Sequence, residues 1–430
     1  MAILSPLSKV LEKVAYDQLY KHFTVSKIFH ENLHGFRQNR STQTALLTIY
    51  DRWIKAASAG KISGSILVDL SAAFDHIDHD ILLKKLQIYG LKGDFVNWLR
   101  SYLSQRFQAV WIDHTLSEFI LCDVGVPQGS ILGPLLFLVY FNDLPDNLNS
   151  DVDSYADDTT VTIAGNTLSE IENKLTLDGR KLGEWMKSNK LKLNTDKTHI
   201  MTIGTQQRLS SLTERLQVRL DDRQLLHDPS GSESLLGCKM DACLKWNHQV
   251  ESLLSKLSRR ISAISYLRYI CPFHVKRTIS EGMFSSVLIY CLPLFAGLEK
   301  GQLNKLQIMQ NKAARLVCNA APRAKRTDLY NKVGWLTVNQ LAAYHSILQV
   351  FKIRQAREPL YLAEIFCKES RSGRIMIPRN NLSLAADSFC FRGSNLWNQL
   401  PRNLRNVKKI GTFKRDVKKW VTENVPQFLD

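Results

Sequence analysis

The chain has 430 residues, of which 44% are hydrophobic and 23% charged, a composition typical of a folded protein that excludes a low-complexity chain. It has 57 Lys and Arg residues against 40 Asp and Glu, giving a net charge of +17. Residues 1–200 contain 21 basic and 23 acidic residues, so the positive excess lies entirely in residues 201–430. This asymmetry predicts a polyanionic partner for the second half, most simply nucleic acid, with a generally basic domain as the alternative.

The cysteines and the apolar runs indicate an intracellular protein. None of the eight cysteines forms a C-x-x-C pair, and Cys238, Cys243 and His248 fit no common zinc knuckle. Reduced thiols are the favoured interpretation. The longest apolar run, Ile131–Phe141, is too short to span a bilayer, so we expect neither a membrane span nor a signal peptide.

The chain opens directly on a helical pattern, with no leader before it, which suggests a fragment of something longer. Six apolar residues recur at helical spacing: Leu7, Val10, Leu11, Val14, Ala15 and Leu19. A break at His34–Arg37 precedes a second predicted helix, from Thr44 to about Ala57. Arg37 beside a glycine turn could hold a phosphate through its planar guanidinium or be a plain surface residue, and the residues leave both open.

An apolar strand is predicted at Ile62–Leu70, with Asp69 near its end. A carboxylate at the end of such a strand is costly unless it is paired or bound to a metal. The His and Asp residues that follow, between positions 76 and 80, fit a solvated helix start better than a metal site.

A glycine-rich loop lies in the middle of the chain. A helix at Leu91–Leu103 and a strand pair at Gln108–Ile112 and Phe119–Val124 are predicted before it. The loop, 125–134, leads into a buried helix. In it, Gly129 permits a close backbone approach to a ligand and Gln128 can hydrogen-bond a base edge or a sugar, although a structural turn explains both equally well.

Two adjacent carboxylates, Asp157 and Asp158, interrupt a β-prone run and are predicted at the turn of a hairpin. A solvated Asp-rich turn is one explanation. A pair of hard divalent cations is the other, because Mg²⁺ takes carboxylate and phosphate oxygens. Asp69 is then the natural third carboxylate.

The second half begins with a helix and short strands and then becomes helical and basic. The predicted elements are a helix at Leu168–Lys187, strands at Leu191–Asn194, His199–Ile203 and Leu235–Met240, and helices at Val250–Leu267 and Gln302–Val317.

Together, in this order, these motifs resemble the reverse transcriptases of non-LTR retrotransposons of the jockey-like kind. The matching stretches are Leu7–Lys13, Gly35–Thr42, Leu67–Leu83, Gly125–Pro145, Ser154–Val161, Trp185–Thr198, Leu236–Trp246, Gln310–Val317, Gly334–Leu336 and Leu396–Pro401. The resemblance implies an α+β, right-hand polymerase with an antiparallel palm sheet. Its parts would be fingers at 1–62, a palm at 63–240 with inserted finger segments at about 90–120, a helical thumb at 241–300 and a basic helical region at 301–430.

The resemblance also implies the site residues. Asp69, Asp157 and Asp158 would hold two Mg²⁺ ions, with Mn²⁺ as a substitute, and catalyse nucleotide transfer together with Lys197. Phe74 would be a steric gate against the 2′-hydroxyl. Further nucleotide-binding residues would be Arg37, Gln128, Gly129 and Tyr155, and Leu236 and Gly237 would grip the primer.

Template RNA, primer DNA and deoxynucleotides are the implied partners, in the nucleus or in a cytoplasmic ribonucleoprotein. The chain departs from the family in two respects, because the family's Arg-Pro-Ile-Ser stretch and its N-terminal endonuclease have no counterpart. The alternatives are therefore a catalytically impaired RNA-binding protein derived from a retroelement and an RNA-dependent RNA polymerase, against which Phe74 argues.

Overall fold

The computed structural model describes residues 4–220, 223–227, 231–295, 297–377 and 383–427. Helices dominate the described chain: α1 (Pro6–Val25), α2 (Thr42–Ser58), α3 (His79–Ile88), α4 (Asp94–Leu103), α5 (Gly133–Phe141), α6 (Leu168–Ser188), α7 (Gln206–Ser210), α8 (Asn247–Ser265), α9 (Phe273–Ser280), α10 (Ser286–Ile289), α11 (Lys300–Cys318), α12 (Arg326–Val333), α13 (Val338–Ala356), α14 (Leu360–Phe366), α15 (Ser383–Ala386), α16 (Phe389–Gln399), α17 (Arg402–Arg405) and α18 (Ile410–Asn424).

The strands are short and come mainly from the first 241 residues. They are β1 (Ile62–Val68), β2 (Arg106–Gln108), β3 (Trp111–Ile112), β4 (Thr115–Leu116), β5 (Ile120–Cys122), β6 (Asp151–Tyr155), β7 (Asp158–Gly165), β8 (His199–Ile203), β9 (Arg219–Leu220), β10 (Arg223–Gln224), β11 (Ser232–Leu235) and β12 (Cys238–Asp241). This mixture of helices with antiparallel strand pairs confirms the predicted α+β class.

The chain divides into two compact units. As far as their residues are described, the first unit consists of Met1–Ser41, Ser63–Thr202 and Glu214–Asp228, and the second of Thr42–Ile62, Ile203–Thr213 and Pro229–Asp430. The division into fingers, palm, thumb and C-terminal region stays a prediction.

The first unit is built on a four-stranded sheet of order β6-β7-β1-β8. Gly64 in β1 explains why α6 packs so closely on this sheet: a Cβ at that position would stand 2.5 Å from the Ile171 side chain and 2.9 Å from that of Leu175. Helix α5 is buried on all sides, as its unbroken apolar sequence predicts.

Helix α1 turns a different face inward from the one its apolar pattern indicates. Glu12, Ala15, Leu19 and Phe23 are buried, whereas the large apolar residues of its first half are exposed: Leu7, Val10, Leu11 and Val14. Ala15 and Leu19 of the predicted pattern are thus buried, and Glu12 lies on the same inward face.

The second unit is almost entirely helical, as predicted for the basic half. Helices α13 and α18 pack against each other through Phe351 and Phe413, whose stacked rings have centroids 4.0 Å apart. Trp397 of α16 contacts the same Phe413 ring. No helix in the described part of the chain has the length and apolarity needed to cross a bilayer.

Two predicted strands differ from the structure. Leu191–Asn194 is not a strand, although Leu193 forms an isolated bridge with Leu70. The single strand predicted at Leu235–Met240 is a hairpin, β11 and β12, with a two-residue turn at Leu236–Gly237. Both of these turn residues have positive φ, 45° and 78°, which breaks the run that the apolar pattern suggests.

Candidate active site

Three carboxylates of the first unit lie where β1 ends and where the β6–β7 hairpin turns. Asp69 directly follows β1, whereas Asp157 and Asp158 belong to the β6–β7 hairpin. The turn is formed by Ala156, at φ 57°, and Asp157, and Tyr155 pairs with Asp158 across it. Asp158 is therefore the first residue of β7 and not part of the turn, a shift of one residue from the prediction.

The raised pKa of Asp158 shows that the other two acids lie near it. Partial burial of its carboxyl group, followed by the negative charges of Asp157 and Asp69, raises its pKa to about 6. Within the described ranges, no three acidic, His or Cys side chains stand close enough to form a ready-made metal centre. The donor set nevertheless suits a hard divalent cation, because all three side chains offer carboxylate oxygens and crowd negative charge.

The turn that carries Lys197 is attached to the backbone of Asp69. The Asn194 amide donates to the Asp69 carbonyl at 3.0 Å, and the Asp69 amide donates to the Thr198 hydroxyl at 3.3 Å. The Thr198 hydroxyl in turn donates to the Asn194 carbonyl at 2.8 Å. These bonds fix the Asn-x-x-Lys-Thr turn beside the first carboxylate, and Lys197 itself is exposed.

Residues 32–35 run alongside β6 and support the hairpin from behind. The His34 amide donates to the Ser154 carbonyl at 2.7 Å, and the Ser154 amide donates to the Asn32 carbonyl at 3.0 Å. The His34 ring is buried, with its Nε2 3.6 Å from the Asp153 carboxylate. Burial lowers the pKa of His34, so the ring is neutral at physiological pH.

The loop with Gln128 and Gly129 is attached to the segment that carries Phe74. The Val126 amide donates to the Phe74 carbonyl at 2.9 Å. The Gln128 side chain donates to both oxygens of Asp75, at 2.9 and 3.1 Å. Gly129 has φ 111°, a backbone conformation that favours glycine and fits the tight loop predicted there.

Phe74 is held by other aromatic rings. It stacks on Phe137 of α5 at 4.4 Å between centroids and meets Phe36 edge-on at 5.9 Å. The buried helix therefore fixes the orientation of the predicted gate.

Glu12 is a residue that sequence reasoning missed. Its buried carboxylate accepts hydrogen bonds from the amides of Ile131, at 2.6 Å, and Leu132, at 3.4 Å, where the loop enters α5. Negative charge at the start of a helix is favourable because the first amides there lack partners. The sequence offered one signal for Glu12, because it is an acidic residue within the apolar pattern that predicts α1.

Arg37 has structural partners. Its guanidinium donates to the His30 carbonyl at 2.8 Å and lies over the Phe29 ring. Its contact with a phosphate stays a prediction.

The predicted primer grip belongs to the second unit, where it forms the tip of the β11–β12 hairpin. The Tyr290 hydroxyl donates to the Leu236 carbonyl at 2.7 Å and holds the turn in place. Its role toward a primer stays a prediction.

Carboxylates at neighbouring strand ends, a glycine-containing loop and an aromatic platform are features that a two-metal nucleotidyl-transferring enzyme can use. Residues 1–253 match the family model "Reverse transcriptase (RNA-dependent DNA polymerase)". This match covers more than half of the chain, so the chain belongs to the reverse transcriptase family, and membership confirms the predicted right-hand polymerase class.

Individual relatives agree with this assignment. The chain is 26% identical over 357 residues to the probable RNA-directed DNA polymerase from transposon BS of Drosophila melanogaster, covering 80% of this chain and 39% of that protein. It is 25% identical over 338 residues to the RNA-directed DNA polymerase from mobile element jockey of the same species, covering 76% of this chain and 36% of that protein. The chain thus spans about two fifths of the length of the curated relatives it matches.

Among solved structures, telomerase from Candida albicans in complex with a fragment of telomeric RNA is similar, with a TM-score of 0.40 and 12% identity. The similarity covers 100% of this chain and 59% of that one.

Proposed function

We propose that this chain is the RNA-directed DNA polymerase of a non-LTR retroelement. It extends the 3′-hydroxyl of a primer with deoxynucleotides on an RNA template and works in a ribonucleoprotein with that template. The observation that carries the proposal is the electrostatic effect of Asp69 and Asp157 on Asp158 in a chain of this family.

Asp69 and Asp157 are the proposed ligands of two Mg²⁺ ions, and Asp158 completes the site. When bound, the ions lower the pKa of the primer hydroxyl and stabilise the charge on the departing pyrophosphate. Before binding, the three carboxylates repel one another, as the raised pKa of Asp158 indicates. Such repulsion is typical of a site that is stabilised by its ligand.

The other site residues position the nucleotide and move protons. Phe74, stacked on Phe137, would lie under the sugar and exclude a 2′-hydroxyl. Gln128 and Gly129 would line the nucleotide pocket with Tyr155 and Arg37. Lys197 would donate a proton to the pyrophosphate, because its turn is hydrogen-bonded to the Asp69 backbone and its side chain is exposed.

Primer extension tests the proposal. The purified chain should extend a labelled DNA primer on an RNA template in the presence of deoxynucleotides and Mg²⁺, and Asp157→Ala should abolish extension. Asp113→Asn is a matched control, because Asp113 is an exposed acid at a turn between short strands. Equal extension by wild type and Asp157→Ala would contradict the catalytic assignment.

Two further arms of the same assay separate the alternatives. Phe74→Ala should gain ribonucleotide incorporation, and a variant that gains none would contradict the gate. RNA binding with steep salt dependence but no incorporation of deoxynucleotides would instead support a non-catalytic RNA-binding protein.

A further inference from the structure

A group of positively charged side chains lies along the α13–α18 helix pair, outside the residues that match the family model. The two helices pack in opposite directions, because Phe351 contacts Phe413 while Gln340 donates to the Val425 carbonyl at 3.2 Å. Lys352 and Lys414 each directly follow one of the stacked phenylalanines. They therefore occur at the same level of the pair, one on each helix.

His345 belongs to the same face of α13 as Lys352, because a spacing of seven residues makes about two helical turns. Burial, followed by the charges of Lys352 and Lys414, lowers the pKa of His345 to about 4. Burial and the charge of Lys414 also lower the pKa of the Lys352 ammonium. The two lysines and the imidazole thus lie within each other's electric field. We call Lys352 and Lys414 the basic patch, beside which His345 is neutral at physiological pH.

The two lysines of the basic patch carry like charges, and no acid pairs with either of them in the described part of the chain. The sequence of α13 has no Asp or Glu. On α18, Asp416 pairs with Arg415 at 2.9 Å. Within the described part of the chain, neither Lys352 nor Lys414 forms a salt bridge, and both are exposed. Since repulsion between like charges costs stability, a bound anion would relieve it.

The spacing of the lysines suits a repeating anion better than a single one. Lys418, also exposed, follows Lys414 one turn further along α18, a rise of about 6 Å. A row of cations on one helix opposite Lys352 fits successive phosphates of one strand. Lysine is also suited to phosphate as a compact point charge.

We propose that the basic patch of Lys352 and Lys414, extended by Lys418, binds the phosphate backbone of a nucleic-acid strand. This patch gives the C-terminal helices a function in holding nucleic acid. The proposal does not depend on polymerase activity.

Binding of the full chain to a fluorescein-labelled, 20-nucleotide single strand tests it, measured by anisotropy without Mg²⁺ or deoxynucleotides. Lys352→Gln/Lys414→Gln should weaken binding about tenfold in 0.1 M salt. It should also lower the slope of log affinity against log salt by about 1.4, the value for two lost phosphate contacts on a single strand. Lys352→Arg/Lys414→Arg should retain both affinity and slope.

The matched control is Lys84→Gln/Lys92→Gln, which removes the same charge from two exposed lysines of the first unit. RNA and DNA strands of one sequence form parallel arms: equal losses identify the phosphates as the ligand, and a loss with RNA alone identifies an RNA strand. Unchanged affinity and slope, or an equal loss in the control, would overturn the proposal.

Folding does not confuse the result, because removing mutually repelling charges should leave the melting temperature unchanged or raise it. If the double variant nevertheless fails to fold, Lys414→Glu replaces it, since Lys414 is exposed on α18. That single variant should weaken binding at least as much, and full binding by a folded Lys414→Glu chain would overturn the proposal.

Discussion

Gly35 lies directly against the backbone of Ala156, at the turn that presents the candidate catalytic carboxylates. A Cβ at Gly35 would stand 3.2 Å from both the Ala156 Cα and the Tyr155 carbonyl carbon, and still closer to the Ala156 amide nitrogen. The hairpin is thus supported by a loop segment that leaves no room for a side chain at this point. This contact explains why the residue before Phe36 and Arg37 is a glycine.

Gly35→Ala should therefore displace the turn and reduce the rate of nucleotide addition by about a hundredfold, the effect expected for a misplacement of roughly 1 Å. The free energy of unfolding should fall by about 1–3 kcal/mol, as for overpacked sites. Single-turnover extension and urea unfolding measure the two effects. Gly282→Ala is the control, because nothing lies within 4 Å of a Cβ at that helical position. Equal behaviour of the two variants would contradict the close contact.

Glu12→Ala should destabilise the start of α5 and the loop that holds Gln128. Two buried amides would lose their acceptor, at a cost of about 1–3 kcal/mol, and Glu12→Gln should recover part of it because one amide oxygen remains. Urea unfolding should give the highest free energy of unfolding for wild type, a lower one for Glu12→Gln and the lowest for Glu12→Ala. Identical stabilities would show that the carboxylate does not support the loop.

Divalent metal should stabilise the wild-type chain, because its carboxylates repel one another without a cation. In EDTA at pH 8, Asp158→Asn should melt at a higher temperature than wild type, since it removes one of the interacting charges. Added MgCl₂ should raise the melting temperature of wild type and have a smaller effect on the variant. If both proteins respond equally to Mg²⁺, the ions bind elsewhere.

The buried His34 should make stability depend on pH. Its pKa is below the unfolded value of 6.5, so the folded chain keeps the ring neutral while the unfolded chain takes up a proton below that pH. The contribution of neutral His34 to stability is therefore complete above pH 6.5 and declines as the pH falls. His34→Gln should lose stability at pH 8, and the gap to wild type should narrow toward pH 5.

Urea unfolding at several pH values measures this gap. His274→Gln is a suitable control, because it makes the same substitution at an exposed histidine. A gap that stays constant for His34→Gln would indicate that the ring is not held neutral.

Sequence reasoning singled out the three candidate carboxylates because each interrupts an apolar, β-prone pattern, in which a charged residue is unfavourable unless it is paired or bound. Asp69 ends such a strand, and the hairpin of Asp157 and Asp158 formed within one residue of its predicted position. The order of the motifs along the chain then favoured a polymerase site, since each motif alone also fits an ordinary turn.

The residues that position the site could not be found in the same way. Glu12 acts on amides 119 residues away, and Asn32 and His34 pair with β6 over a similar separation. No local pattern encodes such contacts. The inward face of α1 was predicted only in part, because Ala15 and Leu19 of the apolar pattern are buried whereas Leu7, Val10 and Leu11 are exposed.

The most direct test of the account is the rate of a single deoxynucleotide addition on an RNA template under single-turnover conditions. Wild type is compared with Asp69→Asn, Asp157→Asn and Asp113→Asn, with melting temperatures recorded for each. The account predicts that loss of either proposed metal ligand slows addition by about a thousandfold or more while the fold survives, and that Asp113→Asn retains the wild-type rate. A folded Asp69→Asn or Asp157→Asn chain that adds the nucleotide at the wild-type rate would contradict it.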